Sequence, residues 1–306
     1  MKDRGSLQGT IGTEETRQFP VPDVAYAVGR VSVLEKTLLD RNTWITLSEM
    51  SYEDAQALVE AHGYTGEDAN VEHAIAKVQQ DTIDLLCEIT QQRHILELFL
   101  LRTDAHNLNV LIKSVLMRSD PGPLLKDGGA YDKELLRMCV EHEDYSLLGE
   151  EFEKELGGIL TEESPRKISA AVDRAVFAHV RKVIVTVRID ALKEYFDSMA
   201  DAVNALAQSR GQALGWDEEK IREMQVPAPG THVFQVQSDF SAFERELNRK
   251  NYRQLADRRF DSDGIVRIVC YLLAKTGECR SLRLLFASKA AGIPVTAEEL
   301  FPEGVA

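Results

Sequence analysis

Thr103-Asp104-Ala105-His106-Asn107-Leu108-Asn109-Val110-Leu111-Ile112-Lys113 is the stretch around which the chain is organised, because weaker copies of it return further along. Asp201-Ala202-Val203-Asn204-Ala205-Leu206 repeats the acid, the Asn three residues on and a nearby Leu. Glu278-Cys279-Arg280-Ser281-Leu282-Arg283-Leu284-Leu285 repeats the acid, a small polar residue three on, and paired leucines. On a helix, residues three apart share a face. Each copy therefore sets an acid beside a small polar side chain, with leucines next to them. A pattern that returns at long, roughly regular intervals points to one helical domain used three times.

The surroundings of the copies agree. Between Gly66 and Pro121, and again between Pro165 and Gly211, the chain carries no Gly and no Pro, and both runs show helical apolar spacing. The first motif is expected to begin a new helix at Thr103-Asp104, the second to sit near the end of its run, and the third to follow a helix from Gly264 to Lys275. Asp120-Pro121-Gly122-Pro123 and Pro227-Ala228-Pro229-Gly230 break the chain strongly. The spacing also predicts a first helix from Val24, short helices around Trp44 and after the cap Ser51, helices over Tyr131–Glu141 and Tyr145–Leu156, a helix capped by Ser164-Pro165, a short one after Asp217, and one over Phe240–Phe260. Residues 1–18 read as a polar lead-in. The fold class is all-α, with helical domains over 19–119, 120–214 and 215–306.

Composition sets the limits on function. The 306 residues suffice for two or three domains that each bury a core, and the formal charge of −14 (36 basic against 50 acidic) repels nucleic acid and anionic headgroups. It suits a partner with a basic surface. The acid-rich run from Glu141 to Glu155 reads as a solvated face, or as a contact for such a partner. Cys87, Cys139, Cys270 and Cys279 form no Cys-x-x-Cys pair and are expected to be buried thiols in a reducing cytosol. The N-terminus has no signal-peptide pattern, and no stretch reaches the ~20 apolar residues of a membrane-spanning helix. No phosphate-cradling Gly-rich loop, nucleophile elbow or helical His-x-x-x-His spacing occurs, so no catalytic residue, cofactor or metal is expected.

Four segments, in order and at fitting distances, resemble the C subunit of bacterial and archaeal V/A-type rotary ATPases, the counterpart of the d subunit in eukaryotic V-ATPases. They are Tyr26-Ala27-Val28-Gly29-Arg30-Val31 with Leu34-Glu35, the Asp104–Lys113 segment, Asp173-Arg174-Ala175-Val176-Phe177, and Gly264 to Glu278 with Arg283. Ala205 and Ser281 depart from the family's usual Leu or Ile and Asn or Ile. The resemblance implies three similar helical domains about a pseudo-threefold axis, arranged as a funnel. It implies a non-enzymatic socket that joins the central-shaft subunits to the membrane rotor ring. Such a protein is peripheral at the cytoplasmic face of the membrane, makes no direct membrane insertion, and is a monomer when isolated. Asp104, Asn107, Asp201, Asn204, Glu278, Arg280 and Arg283 are then expected to lie near the lumen, contacting a partner, or to hold the motif helices in place. Two other readings remain at this point: a helical-repeat scaffold of another complex, and a helical enzyme with a site at Asp104 and His106.

Overall fold

The computed structural model describes residues 24–302, apart from 67, 69, 236–238 and 261–263. The polar lead-in and Phe19–Asp23 lie outside the described residues. Among those described, every regular element is helical. In chain order they are α1 (Val24–Leu34), α2 (Arg41–Glu49), α3 (Tyr52–Ala61), α4 (Val71–Ile89), α5 (Arg93–Met117), α6 (Lys133–His142), α7 (Glu150–Leu156), α8 (Pro165–Ile184), α9 (Asp190–Ala213), α10 (Glu218–Glu223), α11 (Phe240–Asp257), α12 (Ile265–Ala291) and α13 (Ala297–Leu300).

The caps explain where several helices start. Asp40, Asp132, Asp217 and Asp239 each accept a backbone N–H from the first turn of α2, α6, α10 and α11. Ser51 and Ser164 do the same for α3 and α8, as their sequence context predicts. Two expectations need correction. The chain does not break at Thr103-Asp104, since α5 runs unbroken from Arg93 to Met117; the break falls at residues 90–92, where the Thr90 hydroxyl accepts the Gln92 amide. Likewise α12 continues through Gly277, and no helix ends at Lys275. A helix-interior Gly costs only about 1 kcal/mol relative to Ala, and the burial along α12 outweighs it. All three motifs therefore sit in the middle of a long helix.

The long helices come in consecutive pairs: α4 with α5, α8 with α9, α11 with α12. The most extensive packing between them is staggered. The motif helix of one pair lies against the first helix of the next, α5 on α8 and α9 on α11, and α12 returns to pack on α4. The chain link from α4 to α5 completes the circuit.

Polar groups cross the three contacts at matching positions. Five residues after the motif acid, Asn109 reaches Ser169 of α8 and Arg283 reaches Glu72 of α4; nine residues after it, Lys113 reaches Ser169 and Arg210 reaches Glu244 of α11.

The apolar core divides in two. The larger part joins α1, the C-terminal end of α4, α5, α6–α8, the start of α9 and the first half of α12. The smaller part joins Trp44, Leu47, Ala55, Val59, Tyr64, Val71 and Ile75 from the first third of the chain to Cys279, Leu282, Leu285, Phe286 and Leu300 from its last. The N-terminal helices are thus completed by the C-terminal ones. Cys139, Cys270 and Cys279 are buried free thiols, whereas Cys87 is only half-buried.

Candidate functional site

The repeated acid and amide form pins between helix and loop. In α5, Asn107 clamps the Lys126 peptide from both sides: Oδ1 accepts its N–H and Nδ2 donates to its carbonyl, each at 2.9 Å. One turn earlier, Asp104 accepts the N–H groups of Ala130 at 2.8 Å and Tyr131 at 3.3 Å. In α9, Asn204 clamps the Val226 peptide in the same way, at 2.7 and 2.9 Å. Asp201 accepts from the backbone of Gly230, Thr231 and His232 at 2.8, 2.9 and 2.8 Å. In both pins the acid grips residues that begin four positions beyond the clamped peptide. A side-chain amide that satisfies both backbone groups of one residue replaces a strand or turn partner, so each loop is fixed without regular structure.

The third pin closes on the opposite end of the chain. Glu278 Oε2 accepts the N–H of Leu39 at 2.6 Å, and Oε1 accepts from the Tyr64 hydroxyl at 2.5 Å and from Lys275 Nζ at 2.6 Å. Leu39 directly precedes the cap of α2, as Tyr131 directly precedes the cap of α6. Ser281 holds the Asn position and is buried. Lys275 also lies over the Tyr64 ring, 4.6 Å from its centroid. Glu278 and Lys275 are 1 % and 7 % exposed at the side chain, so this ion pair is fully inside the protein. Burying two charges is tolerated because each has hydrogen-bonding or ring partners as well as the other.

Environment sets the acids apart. Burial pushes Asp104 up to about 6 despite its two backbone donors. Asp201 also loses hydration, but the His232 and Gly230 amides, the His232 ring and the Thr231 amide hold it below the ordinary carboxylate value. Burial raises the Tyr64 hydroxyl strongly, with Cys279 and Glu278 adding to it, so Tyr64 stays protonated and donates.

The seven residues expected from sequence therefore have distinct placements. Asp104, Asn107, Asp201 and Glu278 are buried and Asn204 half-buried, each on the internal partners given above. Arg283 donates Nε to Glu72 at 2.6 Å and a terminal nitrogen to Gln79 at 2.7 Å. Arg280 stands on the exposed side of α12. Asp104 and His106 do not form an acid–base pair: two residues apart they point to different faces, and His106 Nε2 instead meets the Leu124 carbonyl at 2.9 Å. Sequence reasoning missed Leu39, Tyr64 and Lys275 as members of the third pin. Only Lys275, one turn before Glu278, carried a readable signal.

The pinned loop Lys126–Lys133 borders a cleft of about 480 Å³ against α4 and the start of α5, lined by Asp84, Glu88, Arg93 and Lys126 among others. Among the described residues no group of His, Cys, Asp or Glu could hold a metal ion, and no helix is long and apolar enough to cross a membrane.

Residues 27–233 match the family described as ATP synthase (C/AC39) subunit. The chain is similar to the C subunit of the V-type ATP synthase of one strain of Thermus thermophilus, 26 % identical over 309 aligned positions that cover 89 % of this chain and 96 % of that protein. It is also similar to the same V-type ATP synthase component from a second strain of Thermus thermophilus, 26 % identical over 208 positions, covering 63 % of this chain and 64 % of that protein.

Proposed function

The chain belongs to the ATP synthase (C/AC39) subunit family, and we propose that it is the non-catalytic central-stalk subunit of a V-type ATP synthase, a socket that joins the rotating shaft to the membrane rotor ring. The observation that carries this reading is the closed order of packing, α5 on α8, α9 on α11 and α12 on α4. A circuit of long helices suits three domains, 19–119, 120–214 and 215–306, set about a pseudo-threefold axis as a funnel. Close-packed helices are stiff, as a part that transmits torque for ion transport and ATP synthesis must be.

On this reading the buried pins at Asp104–Asn107, Asp201–Asn204 and Glu278 keep the socket rigid. Arg283 acts with them by tying α12 to α4, and the exposed Arg280 is the member of the seven that we assign to shaft contact. The charge of −14 suits the Lys- and Arg-rich cytoplasmic loops of a membrane ring. The protein sits at the cytoplasmic face of the membrane, held there through the complex.

The test is co-elution of this chain with the central-shaft subunits of the same cell on a sizing column, repeated with the detergent-solubilised ring. A stable complex in either run is the expected result. A folded, monomeric chain that joins neither overturns the reading. Binding to the ring should weaken as salt rises; unchanged binding would remove charge complementarity as a contributor.

A further inference from the structure

The three helix contacts of the circuit are not equivalent in one respect. The chain runs forward from α5 to α8 and from α9 to α11, so a peptide connection backs each of those contacts. At the third, α12 packs on a helix that came earlier, and only side chains hold it there. Charged groups cross all three contacts. Across the α9–α11 contact Ser198 meets Asn251, with an ion pair on either side of it, Arg210–Glu244 at 3.5 Å and Arg258–Glu194 at 3.6 Å. Across the α5–α8 contact, Lys113 meets the Ser169 hydroxyl and, with Arg102, faces the carboxylate of Asp173.

Down α12 a ladder of such groups ends on the first third of the chain. Arg267 forks onto Glu35 at 2.5 and 3.2 Å. Glu278, paired with Lys275, holds Leu39 and Tyr64. Arg283 takes Glu72 and Gln79. Lys289 donates to the carbonyls of Ser48 and Met50 at the C-terminal end of α2, where the helix dipole favours a cation.

We propose that the contact between α12 and the N-terminal helices α2–α4 is a clasp, the one joint at which the circuit opens and re-forms. A closed circuit can take a rod-like partner only end-on, whereas one with a separable joint can admit it from the side. The smaller apolar core beneath the ladder keeps the closed form dominant. The outer rungs are partly exposed, with Arg283 and Glu72 at 35 % and 55 % of side-chain exposure, so salt screens them while Glu278 stays shielded. The open form is thus a minor state whose population follows the outer rungs. The inference goes beyond the stalk reading and is tested on the isolated chain, so its failure leaves that reading intact.

The experiment measures distances between spin labels on the full chain. Labels go on Glu53→Cys of α3 and Ala290→Cys of α12, both exposed positions, with Cys87→Ser removing the half-buried native thiol. A control pair, Met117→Cys and Arg181→Cys, spans the α5–α8 contact. The expected result is one narrow distance in the parent and, in Arg283→Gln with Lys289→Gln, a second, longer distance that rises about tenfold toward a ~10 % population. The control pair stays single. Should the double substitution fail to fold, the parent at 1 M salt, where the Debye length falls to ~3 Å, gives the same reading. A Glu53–Ala290 distribution that stays single in both cases, or a control pair that broadens alike, overturns the clasp.

Discussion

Gly129→Ala is the sharpest test of the pins. Gly129 is outside the left-handed backbone region, so alanine meets no conformational penalty there, and any effect is steric. A Cβ at this position would lie 2.2 Å from Asp104 Oδ1 and 3.0 Å from its carboxyl carbon. Ordinary contact begins near 3.4 Å, and 3.4 − 2.2 leaves 1.2 Å to be made up by moving loop or carboxylate. That movement breaks the hydrogen bonds from Ala130 and Tyr131, now 2.8 and 3.3 Å long. Bonds to an ionised acceptor contribute about 1.5–3 kcal/mol each, and a buried carboxylate left without donors adds a desolvation penalty. We expect a loss of about 2–4 kcal/mol in urea unfolding followed by far-UV circular dichroism. The same substitution in an Asp104→Ala background should cost less than about 0.5 kcal/mol, because its target is gone. Equal losses in the two backgrounds would refute the pin as the cause.

Three further outcomes are expected. Asp104, raised to about 6 by burial, favours its protonated form on folding, so its contribution to stability is fullest below about pH 4 and is lost as pH rises to about 6, by up to ~3 kcal/mol. Asp201, held below its ordinary value by its donors, contributes above about pH 4 and loses that contribution as pH falls. Urea midpoints of Asp104→Asn and Asp201→Asn subtracted from the parent across pH should therefore change in opposite senses; a common sign would contradict the two environments. Leu282→Ala, at a fully buried position shared by α12 and the N-terminal helices, should cost about 2–5 kcal/mol, and hydrogen exchange should quicken most in α2 and α3. Removing residues 293–306 takes away buried Leu300, which packs in the same core; exchange in α2 should rise, and an α2 no less protected than before would show that α13 does not hold it.

The helices were legible where local chemistry sets them. Ser51, Ser164-Pro165 and Asp217 announce their starts, and Gly292 before Pro294 announces an end. The break at residues 90–92 was not, because Thr90-Gln91-Gln92 carries neither Gly nor Pro and the chain turns there to let α4 and α5 meet different neighbours. Gly277 gave the opposite error, a breaker by composition that long-range packing overrides. The acid and the small polar residue of each motif are legible from spacing alone, but what they hold is hidden. Asn107 and Asn204 grip peptides, and a peptide has no side-chain signature. Glu278 grips Leu39, 239 residues earlier, a distance at which no periodicity speaks.

The shared core of the two chain ends also fixes when this protein can first become itself on a ribosome. Tyr64 and Trp44 emerge early, yet the leucines and Phe286 that cover them are more than two hundred residues behind. At ~5–20 residues per second of synthesis, the first helices wait on the order of 10–40 s with an apolar face uncovered. A nascent chain of this kind is an exposed surface for as long as translation lasts, and slowing translation over α12 lengthens that exposure. Factors that shield emerging chains therefore have most to cover here at the opening third, and α12 is the helix that relieves them.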